Sequence, residues 1–362
     1  MNLSELSNEE LIVMRDDMAS QIAILDVMQK SFKVLANSIY GALGCPYFRF
    51  YDSDIASAVT LSGQAAITNV ERDVNQYGID MGSTDEPAII VTASDTDSLY
   101  ISISNLISKL PTTDDDKLVA IIDKYAETKL QSKISHSIVD LGDRMNAYDN
   151  KLYMKRESIT KALLVAKKRF LFKVYDNEGV RYATPELKIT GLESQRSSTP
   201  AWCRQKLIDA YWLFFDATEA DLQKFVKSCR EEFYELELSM IAGASSANNM
   251  DKFLMENGKL KKGTPMHIKA TYAYNNLLVA KKLEHRYNKI NTGEKIKVVA
   301  LREPNPTKND AIAFSGKIPP EFGIEQFVDR DAMFMKFFHN PLQRVADAVG
   351  WSCDKRITLD ML

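Results

Sequence analysis

Two short apolar runs, Ala88-Ile89-Ile90-Val91 and Leu99-Tyr100-Ile101-Ser102-Ile103, stand on either side of Asp95-Thr96-Asp97-Ser98. Short apolar runs parted by turn-forming residues read as two antiparallel strands joined tightly. Such a hairpin commits this part of the chain to an antiparallel sheet and holds two carboxylates side by side at its tip. Asp, Thr and Ser are ordinary turn residues for local reasons, since their short side chains hydrogen-bond nearby backbone. Carboxylates are also the ligands Mg²⁺ prefers, and a phosphate-transfer centre with two ions about 3.5–4 Å apart draws oxygens from more than one segment. The turn is thus a candidate metal site of which this chain holds a part.

Around the hairpin the apolar period changes from two to about three and a half. Ser7-Asn8-Glu9-Glu10 has the spacing of a capping box, and Leu11, Met14, Met18, Ile22, Leu25 and Met28 then recur three or four apart, which predicts a long helix with Gly41 as a candidate break. A second helix is expected from Ser53 or Asp54 through Ile55, Val59, Ile67 and Val70, ending at Gly78. Thr113-Asp114-Asp115-Asp116 starts another, and strands are expected at 170–175 and 182–190, joined through Asn177-Glu178-Gly179. After Gly191 the pattern turns helical: Ser197-Ser198-Thr199-Pro200 caps a helix over 201–217, and Thr218-Glu219-Ala220-Asp221 opens one running to about Met240. Gly191 is therefore the expected domain boundary.

Composition excludes several classes. With 362 residues, 45% apolar and 26% charged, the chain is long enough for two or three lobes around substantial cores. No apolar run approaches the roughly eighteen residues of a membrane span, and the polar, acidic N-terminus lacks the pattern of a secretory signal, so an intracellular protein is expected. Cys45, Cys203, Cys229 and Cys353 form no C-x-x-C pair, and His136, His267, His285 and His339 lack metal-ligand spacing, which argues against zinc chemistry. The net charge is only −3, yet residues 151–191 hold ten Lys/Arg against four Asp/Glu, and 255–302 hold eleven against three. Two basic stretches on an acidic chain are candidate polyanion-facing surfaces, although such stretches are often no more than solvated faces.

Lys33, Asn37 and Tyr40 fall at i, i+4 and i+7 and share one helical face. Lys33-x-x-x-Asn37-Ser38-x-Tyr40-Gly41, then Asp95-Thr96-Asp97-Ser98, then Lys167-Lys168-Arg169-Phe170 resembles the family B DNA polymerases in type, order and spacing, in particular the replicative polymerases of T-even-type bacteriophages. Phe48-Arg49-Phe50-Tyr51-Asp52, Leu187-Lys188-Ile189-Thr190-Gly191-Leu192-Glu193, Ser197-Ser198-Thr199-Pro200, Pro265-Met266-His267-Ile268 and Leu301-Arg302-Glu303-x-Asn305-Pro306 extend the resemblance over almost the whole chain.

The resemblance implies an α+β fold, the C-terminal part of a right-hand polymerase: half of the fingers helical hairpin in 1–44, an antiparallel-sheet palm in 45–191 and a mostly helical thumb in 192–362. It also implies residue roles. Lys33 would contact the phosphates of the incoming dNTP, Asn37 would support that helix, and Tyr40 with Gly41 would line the nascent base pair. Asp97 would ligate Mg²⁺ directly, with Asp95 a ligand or close behind one, and Glu157 would stand where the family often has a third palm carboxylate. Thr96 would lie near the primer terminus, while Lys167, Lys168, Arg169 and Phe170, with Lys188, would hold primer-template DNA. The tail Ile357-Thr358-Leu359-Asp360-Met361-Leu362 is similar to the apolar segment by which such polymerases grip a sliding clamp, through Leu359, Met361 and Leu362; a frayed terminus is the plainer reading.

Departures from the family pattern shape the remaining expectations. The first palm motif, of D-x-x-S-L-Y-P-S type, and the arginine and lysine of the preceding fingers helix do not occur. Ala93-Ser94 replaces the usual glycine before Asp95, and Ile159-Thr160-Lys161-Ala162-Leu163-Leu164-Val165 replaces a glycine-rich stretch. The expectation is a C-terminal subunit of a split polymerase. It would share two Mg²⁺ ions with an N-terminal subunit that supplies the other palm aspartate and the exonuclease, in the cytoplasm of an infected bacterial host. The alternatives are a noncatalytic DNA- and clamp-binding module that retains the fold, and a piece of a full-length enzyme.

Overall fold

The capping box read at the N-terminus is formed: Ser7 N–H donates to Glu10 Oε2 at 2.8 Å, and Glu10 N–H donates to Ser7 Oγ at 3.3 Å. The bonds that Ser7 N–H and Ser7 Oγ donate to the Glu10 carboxylate hold it below the usual carboxylate range. From this cap helix α1, Asn8–Leu43, runs through Gly41 without a break. The structure, a computed structural model, describes residues 6–256 and 258–355. The chain divides between Arg156 and Glu157 into two units. No described helix is long and apolar enough to cross a membrane.

In the first unit Asp52 caps α2, Ser53–Met81, by accepting from the N–H groups of Asp54 and Ile55. Gly78 does not end this helix, as its type suggested; it lies inside it, where a Cβ would sit 1.9 Å from the carbonyl oxygen of Ile89. The glycine is there because the strand entering the hairpin crosses the helix at that point, and Ala88 N–H donates to the Gly78 carbonyl at 2.9 Å. Strands β1, Ile90–Asp95, and β2, Ser98–Ser102, then pair antiparallel. The short α3, Ser104–Ile107, follows, then α4, Asp115–Tyr125, capped by Asp114 as expected. A wide π-type turn, Ala126–Leu130, leads directly into α5, Gln131–Arg144, a helix the motif reading had not anticipated.

Val70 and Val74 of α2, Ile89, and Leu130, Ile134 and Ile138 form the core of this unit. Full burial of such a side chain contributes about 1.5–3 kcal/mol. Beside it Asn69 donates to Ser137 Oγ at 2.8 Å, and Ser137 Oγ donates to Asp73 at 2.6 Å, which keeps a buried polar seam satisfied. Gly78→Ala is expected to lower the stability of this unit by roughly 2 kcal/mol or more through overpacking. Urea unfolding followed by helix signal would measure it, and an unchanged midpoint would contradict the crossing geometry.

In the second unit β3, Ser158–Ala166, β4, Arg169–Asn177, and β5, Val180–Thr190, make an antiparallel sheet in that order. Strand β3 occupies the stretch read as a glycine-rich departure. Helix α6, Ala201–Asp216, has Pro200 itself at its cap with no side-chain bond, because Thr199 Oγ1 donates instead to the Glu193 carbonyl at 2.9 Å. Thr218 and Asp221 form the capping box of α7, Glu219–Glu235, which ends before Met240. Short α8, Leu238–Ile241, leads to β6, Gly243–Ser246; after α9, Met266–Ala280, strands β7, Lys295–Ala300, and β8, Ala311–Phe314, complete a second three-stranded antiparallel sheet. Helix α10, Arg330–Phe334, passes through a π-type turn, Met335–His339, into α11, Asn340–Asp347.

A cluster of tilted and edge-on rings, Trp202, Phe233, Phe334 and Phe338, with centroids 5.1–6.1 Å apart, lies within the core of this unit. Cys203, Cys229 and Cys353 are buried there as free thiols, and burial pushes each up to about 12, so they are inert packing groups.

Candidate active site

The Asp95–Asp97 turn is unusually tight. Asp97 N–H donates to the Asp95 carbonyl at 2.7 Å across a single residue, Thr96, whose φ is 58°. A β-branched residue with positive φ is strained, by about 1–3 kcal/mol, and persists only where its surroundings hold it. Here Thr96 Oγ1 donates to Asp95 Oδ1 at 3.1 Å and Ser98 Oγ donates to the Asp95 carbonyl at 3.1 Å. The hairpin is anchored at its base by Asn75 of α2, whose Oδ1 accepts from Val91 N–H at 2.8 Å. Thr92 is the extra residue of a bulge between Val91 and Ala93, which increases local twist as bulges beside reactive centres commonly do. Asp97 is exposed at the tip and Asp95 is half-buried on the inner face of β1.

Two hard oxygen donors on one rigid turn suit Mg²⁺, which is commonly bound by one or two carboxylates together with substrate phosphates. They do not complete a two-ion centre by themselves. Among the described residues no group of three or more His, Cys, Asp or Glu is placed to hold a metal ion. Glu157 belongs to the second unit, where its carboxylate meets Lys188 Nζ at 3.4 Å in an exposed pair.

Because α1 is unbroken, Lys33, Asn37 and Tyr40 do line one face, with Gly41 one residue beyond, and all four are exposed. A Cβ on Gly41 would meet nothing within 4 Å, so no packing within the described residues requires a glycine there. None of the residues of α1 is buried: Ile12, Met18, Ile22, Leu25, Phe32, Leu35 and Ile39 are each at least half exposed. So many large apolar side chains exposed along one helix ordinarily mark a surface that a partner covers.

In the second unit Lys167 and Lys168 form the exposed turn between β3 and β4, with Lys168 at φ 59°. Lys188 lies opposite Phe172 on β5. Arg169 and Phe170 point elsewhere. Arg169 grips Glu193 with one nitrogen 2.8 and 2.9 Å from the two carboxylate oxygens, and Phe170 is buried and stacked on Phe172 at 4.3 Å. Only the two lysines of the Lys-Lys-Arg-Phe motif thus stand at the tip. The sequence reading gave no role of their own to Asn75 and Glu193. Membership of the Leu187–Glu193 motif was the available signal for Glu193, and Asn75 carried none. The tail residues Leu359, Met361 and Leu362 lie outside the described residues.

Over residues 9–325 the chain matches DNA polymerase family B. The DNA-directed DNA polymerase of Enterobacteria phage T4 is 31% identical over 384 aligned positions, covering 99% of this chain and 42% of the relative. That of Escherichia phage RB69 is 33% identical over 343, covering 90% of this chain and 37% of the relative. A shorter stretch, 51% of the chain, is 27% identical to the DNA polymerase alpha catalytic subunit of Leishmania donovani. The chain therefore spans about two fifths of the length of its phage relatives.

Proposed function

The chain belongs to DNA polymerase family B, and on that premise we propose that it carries part of a template-directed nucleotidyl-transfer centre completed by polypeptide outside these 362 residues. The observation that carries the reading is the strained Asp95-Thr96-Asp97 turn, which presents two carboxylates and lacks a third acidic group beside them among the described residues. The many large apolar side chains exposed along α1 support it, since such a surface calls for a covering partner.

In this reading Asp97 and Asp95 hold Mg²⁺, with Glu157, paired with Lys188 in the second unit, a candidate third carboxylate. The chemistry supplied by Mg²⁺ when bound is activation of the primer hydroxyl and neutralisation of the leaving pyrophosphate. Lys33 neutralises the triphosphate of the incoming dNTP, Asn37 supports its helix, and Tyr40 lies against the new base pair, with Gly41 leaving room beside it. Thr96 lies at the primer terminus. Lys167, Lys168 and Lys188 follow the backbone of primer-template DNA through sequence-independent charge contacts. Arg169 and Phe170 brace that turn. We assign the missing aspartate and the exonuclease to an N-terminal subunit, and a sliding clamp to the C-terminal tail.

Mixing the chain with a polypeptide that carries the first palm motif should extend a primed template with Mg²⁺, and neither component alone should do so. Extension by the 362-residue chain alone would overturn the shared site. Duplex binding without extension in any mixture would instead identify a noncatalytic DNA-binding module.

A further inference from the structure

Glu193 is almost buried, yet three arginines converge on it from separate elements. Arg169 of β4 holds both of its oxygens, Arg344 of α11 reaches Oε1 at 3.2 Å, and Arg196 lies 3.9 Å from the same oxygen. Three guanidinium charges meet one carboxylate, so the cluster keeps a surplus of two positive charges. Arg169 is the inner member, with a side chain 25% exposed. Arg196 and Arg344 each offer one nitrogen to Glu193 and remain 59% and 57% exposed. A guanidinium has five N–H donors, so each keeps donors that Glu193 does not use, Arg344 tethered by its hydrogen bond at 3.2 Å and Arg196 held near by charge at 3.9 Å.

The cluster is rigid and adjoins the lysine turn. Arg196 N–H donates to the Glu193 carbonyl at 3.1 Å, and Thr199 Oγ1 donates to that carbonyl at 2.9 Å. Gly191, at φ 69°, lies so close to the β3–β4 turn that a Cβ would sit 2.1 Å from the Lys168 carbonyl oxygen. The lysine turn thus abuts the segment that leads into Glu193, and Arg169 follows Lys168 directly in the chain.

We propose that Glu193 gathers Arg169, Arg196 and Arg344 into a site for the phosphodiester backbone of duplex DNA, in which Arg196 and Arg344 contact phosphate and Glu193 and Arg169 are positioning residues. The inference rests on the polymerase reading and adds two contacts to it. The competing account is a structural tie that fastens α11 to the sheet; it predicts changes in stability alone.

The test is equilibrium binding of the full 362-residue chain to a fluorescent primer-template duplex across a range of salt. Arg344→Gln should weaken binding about tenfold at low salt and reduce the slope of log affinity against log salt by about one, with the melting temperature nearly unchanged. Arg196→Gln should act alike, and Arg344→Lys should recover most of the slope. Glu193→Gln separates charge from position: it raises the net positive charge, so simple attraction predicts tighter binding, whereas a positioned site predicts weaker binding. Where Glu193→Gln unfolds the chain, the two arginine variants decide. Unchanged affinity and slope in both, with the wild-type chain binding duplex, would overturn the proposal and leave the polymerase reading standing. Failure of the wild-type chain to bind duplex at low salt would overturn both.

Discussion

Asp97→Asn is expected to reduce primer extension by the reconstituted polymerase at least a thousandfold, with order-of-magnitude support from the charge stabilisation that metal ions supply in phosphoryl transfer. The change is nearly isosteric and Asp97 is exposed at the tip of its turn, so the fold has no reason to respond. Its backbone N–H still donates to the Asp95 carbonyl, which keeps the turn closed. What is lost is a negative charge, and a neutral amide oxygen is a poor ligand for a hard divalent cation. Single-turnover extension, with duplex affinity and melting temperature as controls, would check it. Extension at the wild-type rate would remove Asp97 from the centre. Asp95→Asn is the less clean experiment, because Asp95 also accepts from Thr96 Oγ1 and is half-buried.

Lys33→Ala should raise the concentration of dNTP needed for half-maximal extension by about 10–100-fold, the worth of one charge-assisted phosphate contact. Duplex affinity should stay as it was, because Lys33 lies in the first unit and outside the basic surface of the second. The exposed position on α1 again makes a folding defect an unsuitable explanation. Equal nucleotide dependence in mutant and wild type would show that this face of α1 does not meet the triphosphate. Lys33→Arg keeps the charge and should retain a large part of the function, although a planar guanidinium does not replace a point charge exactly in kind.

Much of the architecture was legible because its signals are local. The Ser7–Glu10 and Thr218–Asp221 boxes close between side chains three residues apart, and both helices start where those boxes place them. The β1–β2 hairpin followed from two apolar runs and the turn residues between them. The misread elements failed for long-range reasons. Gly78 has the type of a helix terminator, but its role is set by Ile89, which approaches from beyond the end of the helix. Thr199 has the type of a cap, yet the Glu193 carbonyl claims its hydroxyl. Helix α5 carries Ile134, Ile138 and Leu141 at helical spacing, but it continues from the π-type turn with no side-chain cap to mark its start.

The candidate site shows the same division. By itself the sequence determined the turn that pairs Asp95 with Asp97, the helical row of Lys33, Asn37 and Tyr40, and the family to which their order points. Each depends on bonds and spacings within a few residues of the chain. Only the tertiary structure decided that Phe170 faces inward, that Glu157 meets Lys188, and that Arg169 and Arg344, far apart in sequence, share one buried carboxylate. Burial and ion pairing are set by which surfaces pack together, and the residues on either side of a charged group do not carry that information.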